Sequence, residues 1–210
     1  MTKILIVDDH YLIREGLKKI LDPENDLSIV GELQKGCDVR EFIMKHDCDL
    51  IILDINLPDR NGMDILKDVK AIKPDISILM LSILPEEQFA VRALRAGASG
   101  YITKDGVAEE LVIAIRRIAN GRRYVSEHLA EKLALNLESS PKKNLHDTLS
   151  DREFQILLMI GSGLPSKEIA RNLSLSNSTV NTYRSRIYEK MNLKTIAKLI
   201  HYVLNNDLLR

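Results

Sequence analysis

Five short runs of apolar, largely β-branched residues punctuate the first 122 positions, and a stretch with helical periodicity follows each one. The runs are Lys3–Val7, Ser28–Leu33, Leu50–Leu53, Ile76–Leu81 and Ser99–Ile102. Several are apolar throughout, as parallel strands covered on both faces should be. The intervening stretches Tyr11–Leu21, Asp38–Lys45, Met63–Ile72, Glu86–Ala96 and Val107–Ala119 read as amphipathic helices. Five strands alternating with five helices predict an α/β fold, a doubly wound five-stranded parallel sheet, because each crossover helix must cover one face of the sheet. Ligands of such sheets bind at the carboxyl ends of the strands. The residues just past each strand are therefore the ones to inspect.

Beyond Ser126 the strand pattern stops. Glu127–Leu137 reads as a helix, and Glu138–Thr148, with Ser139, Ser140, Pro141, Lys142, Lys143 and Asn144, as a polar linker. Everything after Leu149 is helical, so a second, all-α domain is expected. The predicted division is 1–122, a connecting stretch 123–148 containing a helix, and 149–210. Net charge is zero, yet residues 151–210 carry 9 basic and 5 acidic groups, leaving an acidic N-terminal part and a basic C-terminal one. That asymmetry fits a metal-binding or signalling domain tied to a nucleic-acid binder.

With 45% hydrophobic and 29% charged residues, the composition is that of a globular protein rather than a disordered chain. No apolar run approaches the roughly 20 residues needed to cross a bilayer. The stretch Ile4–Val7 is closed at once by Asp8 and Asp9, unlike a secretory signal. A cytoplasmic location without membrane attachment is expected. Cys37 and Cys48 are too few for a disulfide scaffold and lack the clustered spacing of a zinc site.

The strand ends carry a chemical set: Asp8 and Asp9 after the first strand, Asp54 after the third, Ser82 after the fourth and Lys104 past the fifth. Carboxylates gathered this closely repel unless a cation sits among them, and a hard divalent ion prefers oxygen ligands. A metal and a lysine neutralise phosphoryl oxygens while a carboxylate attacks as nucleophile. Asp8-Asp9, Asp54 in Leu-Asp-Ile-Asn-Leu-Pro-Asp-Arg-Asn-Gly, Ser82 in Met-Leu-Ser and Lys104 after Gly-Tyr-Ile-Thr resemble the receiver domain of two-component systems, with its flavodoxin-like, CheY-like fold. The resemblance implies Asp54 as phosphoacceptor, Lys104 and Ser82 as phosphoryl partners, and Tyr101 as the switch aromatic that swings inward. It further implies Mg²⁺ or Mn²⁺ held by Asp8, Asp9, Asp54 and the backbone carbonyl of Asn56. His10 reads as structural or exposed. Two positions depart from the pattern. Asp105 stands where receivers commonly have proline, so a trans peptide or a strained loop is expected. Ile83 replaces a small residue, which predicts slow transfer from small phosphodonors.

The C-terminal residues follow a helix-turn-helix grammar. Ser150 and Glu153 form a capping box ahead of a first helix, Ser166–Leu173 is a short second, and a third runs from about Asn177 to Met191. Val180, Tyr183, Ile187 and Met191 are spaced to face the core, leaving Thr179, Asn181, Thr182, Ser185 and Arg186 outside. Glu153 and Glu168 read as capping or as partners of Arg184. Leu-Ser-Asp-Arg-Glu, Gly-Leu-Pro-Ser-Lys-Glu-Ile-Ala and Ser-Thr-Val-Asn-Thr-Tyr resemble the LuxR-type DNA-binding domain, and the whole chain resembles a NarL/FixJ-family response regulator. By that resemblance Lys167, Thr179 and Arg186 touch phosphates while Asn181, Thr182 and Ser185 approach bases, and Tyr183 replaces a usual histidine. A helix over Thr195–Asn206 helps form a dimer. The implied function is regulation of transcription: a sensor histidine kinase phosphorylates Asp54, and the protein, as a homodimer, binds double-stranded promoter DNA without acting on an external substrate. Two other classes stay open. A phosphohydrolase with an aspartyl nucleophile usually wants an aspartate where Asn56 stands, and a phosphorylation-independent binding module would use the first domain only as a scaffold.

Overall fold

The computed structural model describes residues 1–131 and 144–209. The chain divides into two compact units, Met1–Leu135 and Asn136–Arg210. In the first, β1 (Thr2–Val7), α1 (Tyr11–Leu21), β2 (Leu27–Leu33), α2 (Val39–Lys45), β3 (Leu50–Asp54), α3 (Gly62–Ile72), β4 (Ser77–Ser82), α4 (Glu86–Arg95), β5 (Gly100–Thr103) and α5 (Val107–Ala119) alternate along the chain. The sheet is parallel with strand order β2-β1-β3-β4-β5. Order reverses at β1, which starts one crossover toward β2 and neighbours β3 on its other side. That makes the carboxyl ends of β1 and β3 the place for a ligand.

Burial explains why this pattern folds this way. Every residue of β3 is buried, as a central strand with helices on both faces demands. Alternate side chains Ile4, Ile6, Leu50, Ile52, Leu79 and Leu81 pack against Leu17 and Leu21 of α1 and Leu111, Ile115 and Ile118 of α5. The register then levels the strand ends: Val7 pairs with Leu53, Asp54 with Leu81, and Ser82 with Thr103. Asp54 and Ser82 turn out to be the last residues of their strands rather than the first beyond them. Strand ends read from sequence drift by a residue because the first polar side chain need not end the ladder.

After α5, Tyr124 bridges to Gly100 beside β5 and is buried in the same core. Helix resumes at Glu127 and is followed here to Glu131; the rest of the expected helix to Leu137, and the linker through Lys143, lie outside the described residues. The second unit holds a short 3₁₀ turn (Leu145–Thr148), α6 (Asp151–Gly161), α7 (Ser166–Asn172), α8 (Asn177–Met191) and α9 (Ile196–Asn205). Ser150 and Glu153 form the expected capping box, and Ser176 and Thr195 cap α8 and α9. His146 lies against the Phe154 ring and contacts the Tyr202 hydroxyl at 2.9 Å, which packs the 3₁₀ turn onto α6 and α9.

Candidate functional site

The level strand ends bring Asp8 and Asp54 together around one ammonium. Lys104 Nζ lies 2.7 Å from Asp8 Oδ2 and 2.7 Å from Asp54 Oδ2, and both carboxylates are 1% exposed. Burial pushes the Asp54 carboxyl above its ordinary range, a shift that Lys104 opposes and Asp8 reinforces. Burial works against the Lys104 charge too, but Asp54 and Asp8 outweigh it and hold the ammonium above its usual range. The other Asp54 oxygen, Oδ1, accepts from the Asn56 amide at 3.0 Å, so the carboxylate is fixed from two sides.

Asp9 and His10 complete the cluster. One ligand atom from each of Asp8, Asp9, His10 and Asp54 lies within 4.8 Å of the others. Asp8 Oδ2 takes the Lys104 ammonium at 2.7 Å, and the buried Asp9 Oδ1 has a charge contact to His10 Nδ1 at 2.9 Å. Carboxylate oxygens facing a common space are what a hard divalent cation would satisfy. The donor set fits such an ion. His10 itself is exposed, and its nitrogen suits Mg²⁺ less well than the surrounding oxygens.

Two supports around the pocket escaped the sequence reading. Arg14 is buried on α1, where its guanidinium donates to the Asp8 carbonyl at 2.8 Å and to Glu32 at 3.3 Å. An arginine inside an amphipathic pattern reads as a solvated face, and only the fold shows otherwise. Asp59, in the loop after β3, accepts from the Gly36 and Cys37 amides at 2.9 and 2.8 Å and so ties that loop to the turn after β2. The same carboxylate, with Asp38, pushes the exposed Cys37 thiol up to about 11.

Ser82, on β4, sits one strand away from Asp54, and Tyr101, on β5, two strands away. Both are fully buried. Ser82 Oγ accepts from the Leu84 amide (3.1 Å), and the Tyr101 hydroxyl donates to the Leu84 carbonyl (2.9 Å). Burial raises the Tyr101 phenol well above its ordinary range, so it acts as a donor. The Lys104 amide donates to the Ser82 carbonyl at 2.8 Å, locking β5 beside β4. No cis peptide occurs among the described residues; with Asp105 after Lys104, the turn is trans, as expected. Ile83 is 67% exposed.

In the second unit, Lys167, Thr182, Ser185 and Arg186 are exposed, while Thr179 and Asn181 are half-buried. Thr182 and Ser185 donate back to the helix carbonyls of Ser178 (3.0 Å) and Asn181 (3.1 Å), leaving their oxygens as acceptors. Thr179 Oγ1 contacts Ser176 Oγ at 2.7 Å. One expectation needs correction. Tyr183 is half-buried rather than in the core, and its ring lies under the Arg186 guanidinium at 5.9 Å; a phenol at the rim of a helix keeps its polar edge wet and its face for a cation. Glu153 caps α6, as one of the two expected roles had it, and pairs with Lys190 at 2.7 Å, while the Arg184 guanidinium reaches Ser166 Oγ at 3.4 Å. The buried N-terminus of α6 faces the end of α8, and Lys190 is the cation there.

A doubly wound sheet with paired acids and a lysine at one edge, joined to a helix-turn-helix unit, defines a class of two-domain regulators. Comparison with known proteins agrees. The family model of the response regulator receiver domain matches residues 4–116, and that of bacterial regulatory proteins of the luxR family matches residues 147–203. The chain is 33% identical over 209 residues to response regulator UvrY of Escherichia coli K12, covering 99% of this chain and 96% of that one. It is 36% identical over 200 residues to response regulator GacA of Pseudomonas aeruginosa, covering 95% and 94%. Among solved structures, Salmonella enterica RcsB bound to promoter rprA with phosphomimetic BeF₃⁻ shares the fold, with a TM-score of 0.65, 23% identity and coverage of 97% and 98%. A LuxR-family two-component response regulator from Aurantimonas gives 0.61 at 29% identity, covering 66% of this chain and all of that one. The chain belongs to the NarL/FixJ family of two-component response regulators, with a receiver domain and a LuxR-type DNA-binding domain.

Proposed function

We propose that Asp54 accepts a phosphoryl group from a sensor histidine kinase and that the change so produced governs binding of promoter DNA. One observation carries the reading: the Lys104 ammonium stands 2.7 Å from the buried Asp54 carboxylate, at strand ends where Asp8 and Asp9 add further carboxylate oxygens. An Asp54 oxygen attacks phosphorus as the bond to the donor's imidazole nitrogen breaks, leaving an acyl phosphate on the chain. Lys104 pairs with the new phosphoryl oxygens, Ser82 donates to one of them, and Tyr101 stays inside to hold Leu84. Asp8, Asp9, Asp54 and the Asn56 carbonyl are the residues to hold Mg²⁺ or Mn²⁺. Such an ion supplies charge neutralisation for phosphoryl transfer.

In the second unit we assign Lys167, Thr179 and Arg186 to phosphates and Asn181, Thr182 and Ser185 to base edges, since an exposed helix with amide, hydroxyl and cationic groups suits the major groove. The reading includes a homodimer when phosphorylated, a cytoplasmic setting and the domain limits 1–122, 123–148 and 149–210. Among the described residues no helix is long and apolar enough to cross a membrane.

Incubation with radiolabelled acetyl phosphate and Mg²⁺ tests the acceptor. Asp54→Asn should reduce incorporation to background, whereas Asp59→Asn, changing a neighbouring carboxylate, should still label. Full labelling of Asp54→Asn would put the acceptor elsewhere.

A further inference from the structure

The chain leaving α5 is held to the receiver at two places. Tyr124 is the first: its amide donates to the Ser99 carbonyl at 2.9 Å and its hydroxyl to Glu110 at 2.8 Å. The second lies two residues on, against the first turn of α4. The Ser126 amide donates to Glu86 Oε1 at 3.3 Å and its hydroxyl to Glu86 Oε2 at 2.5 Å. His128 Nε2 lies 3.1 Å from Glu87. Ser126 Oγ also accepts from the Leu129 amide at 3.1 Å, capping the helix that starts at Glu127. A single carboxylate therefore grips the cap of the helix that begins the connection to the second unit.

Glu86 is separated from Ser82 by three residues, and both backbone groups of the middle one, Leu84, are bound by the switch pair: the amide by Ser82, the carbonyl by Tyr101. If Ser82 turns its hydroxyl toward a phosphoryl oxygen on Asp54, the Leu84 amide loses its acceptor. A buried donor left unpaired is costly, so the backbone follows the serine rather than stay behind. Pro85 transmits the displacement stiffly, its φ fixed by the ring, and its carbonyl starts α4 by accepting from the Phe89 amide at 3.3 Å.

We propose that Glu86 is a positioning residue that reports the state of the acidic pocket to the connecting segment: phosphorylation draws it away from Ser126 and loosens the helix turn at Glu127. The inference rests on the phosphoryl reading above. It differs from that reading in naming a release point, the hold of Glu86 on Ser126, 40 residues apart in sequence.

Hydrogen exchange on the full chain, with Mg²⁺ and beryllofluoride as phosphoryl mimic, tests it. In the wild type, beryllofluoride should speed exchange of the Ser126 and Leu129 amides about five- to tenfold, the loss of roughly one hydrogen bond. Glu86→Ala should exchange fast at these two amides with or without the mimic while still labelling at Asp54. Glu86→Gln, keeping one acceptor oxygen, should lie between. Unchanged exchange at Ser126 and Leu129 while the Leu84 amide responds would overturn the Glu86 role and leave the phosphoryl reading intact. Silence at Leu84 as well would overturn the Ser82 coupling and the Glu86 role together, while labelling at Asp54 decides the phosphoryl reading separately. A Glu86→Ala chain whose β1 and β3 amides also exchange faster has lost general stability, and that result too would overturn the proposal.

Discussion

The two units of this regulator treat their polar groups in opposite ways. In the receiver, Asp8, Asp54, Ser82 and Lys104 are all but inaccessible and hold one another in place. In the DNA-binding domain, Lys167, Thr182, Ser185 and Arg186 stand in solvent, and the two hydroxyls are occupied by their own helix. Burial makes a group sensitive, because in a poorly polarisable surrounding each added charge is felt strongly. Exposure makes a group available for contact but dull to small changes. The sensing end therefore has to be buried and the reading end bare.

Breaking the buried set should have the largest effect. Lys104→Ala leaves two carboxylates facing each other without their shared cation, and we expect a loss of about 3 kcal/mol in receiver stability by urea unfolding. Added Mg²⁺ should restore more of that loss than it adds to the wild type. Next comes the interior of the second unit. A Cβ built on Gly161 would meet Val203 Cγ1 at 2.5 Å, so Gly161→Ala should cost about 2 kcal/mol in thermal unfolding despite alanine's better helix propensity.

Glu153, a buried acid of that unit, sharpens the comparison through pH. Burial tends to raise the Glu153 carboxyl, but Lys190 and the Ser150 cap outweigh it and hold the group below its ordinary range. A depressed folded value means the stabilisation is complete above the unfolded value, about 4.3, and fades as pH falls through the folded one. Glu153→Gln should cost about 1 kcal/mol at neutral pH and flatten the acid side of the stability curve. The exposed cations come last. Lys167→Ala and Arg186→Ala should each weaken binding to any DNA alike and lower the salt slope by about one, read by fluorescence anisotropy at several salt concentrations.

Much of the receiver was legible because its determinants are local. Apolar runs end in Asp9, Asp54 or Lys104, and once a parallel sheet is granted its register gathers them. Ser150 was readable as a cap for the same reason. What stayed hidden depends on pairings between distant positions. Arg14 looks like a solvated residue until the fold places the Asp8 carbonyl beneath it. Glu86 and Ser126 share no periodicity. Tyr183 was assigned inward by spacing alone, although a phenol is satisfied at the rim, and Glu153 found Lys190 because α8 ends beside the start of α6.

The grip of Asp59 on the turn after β2 has a chemical by-product. With its thiol pushed up to about 11, Cys37 holds its proton more firmly than a free cysteine does. A surface sulfur is thereby rendered slow toward peroxide and alkylating reagents. A low-pKa cysteine placed elsewhere on the surface by design should therefore take up a maleimide tag ahead of it.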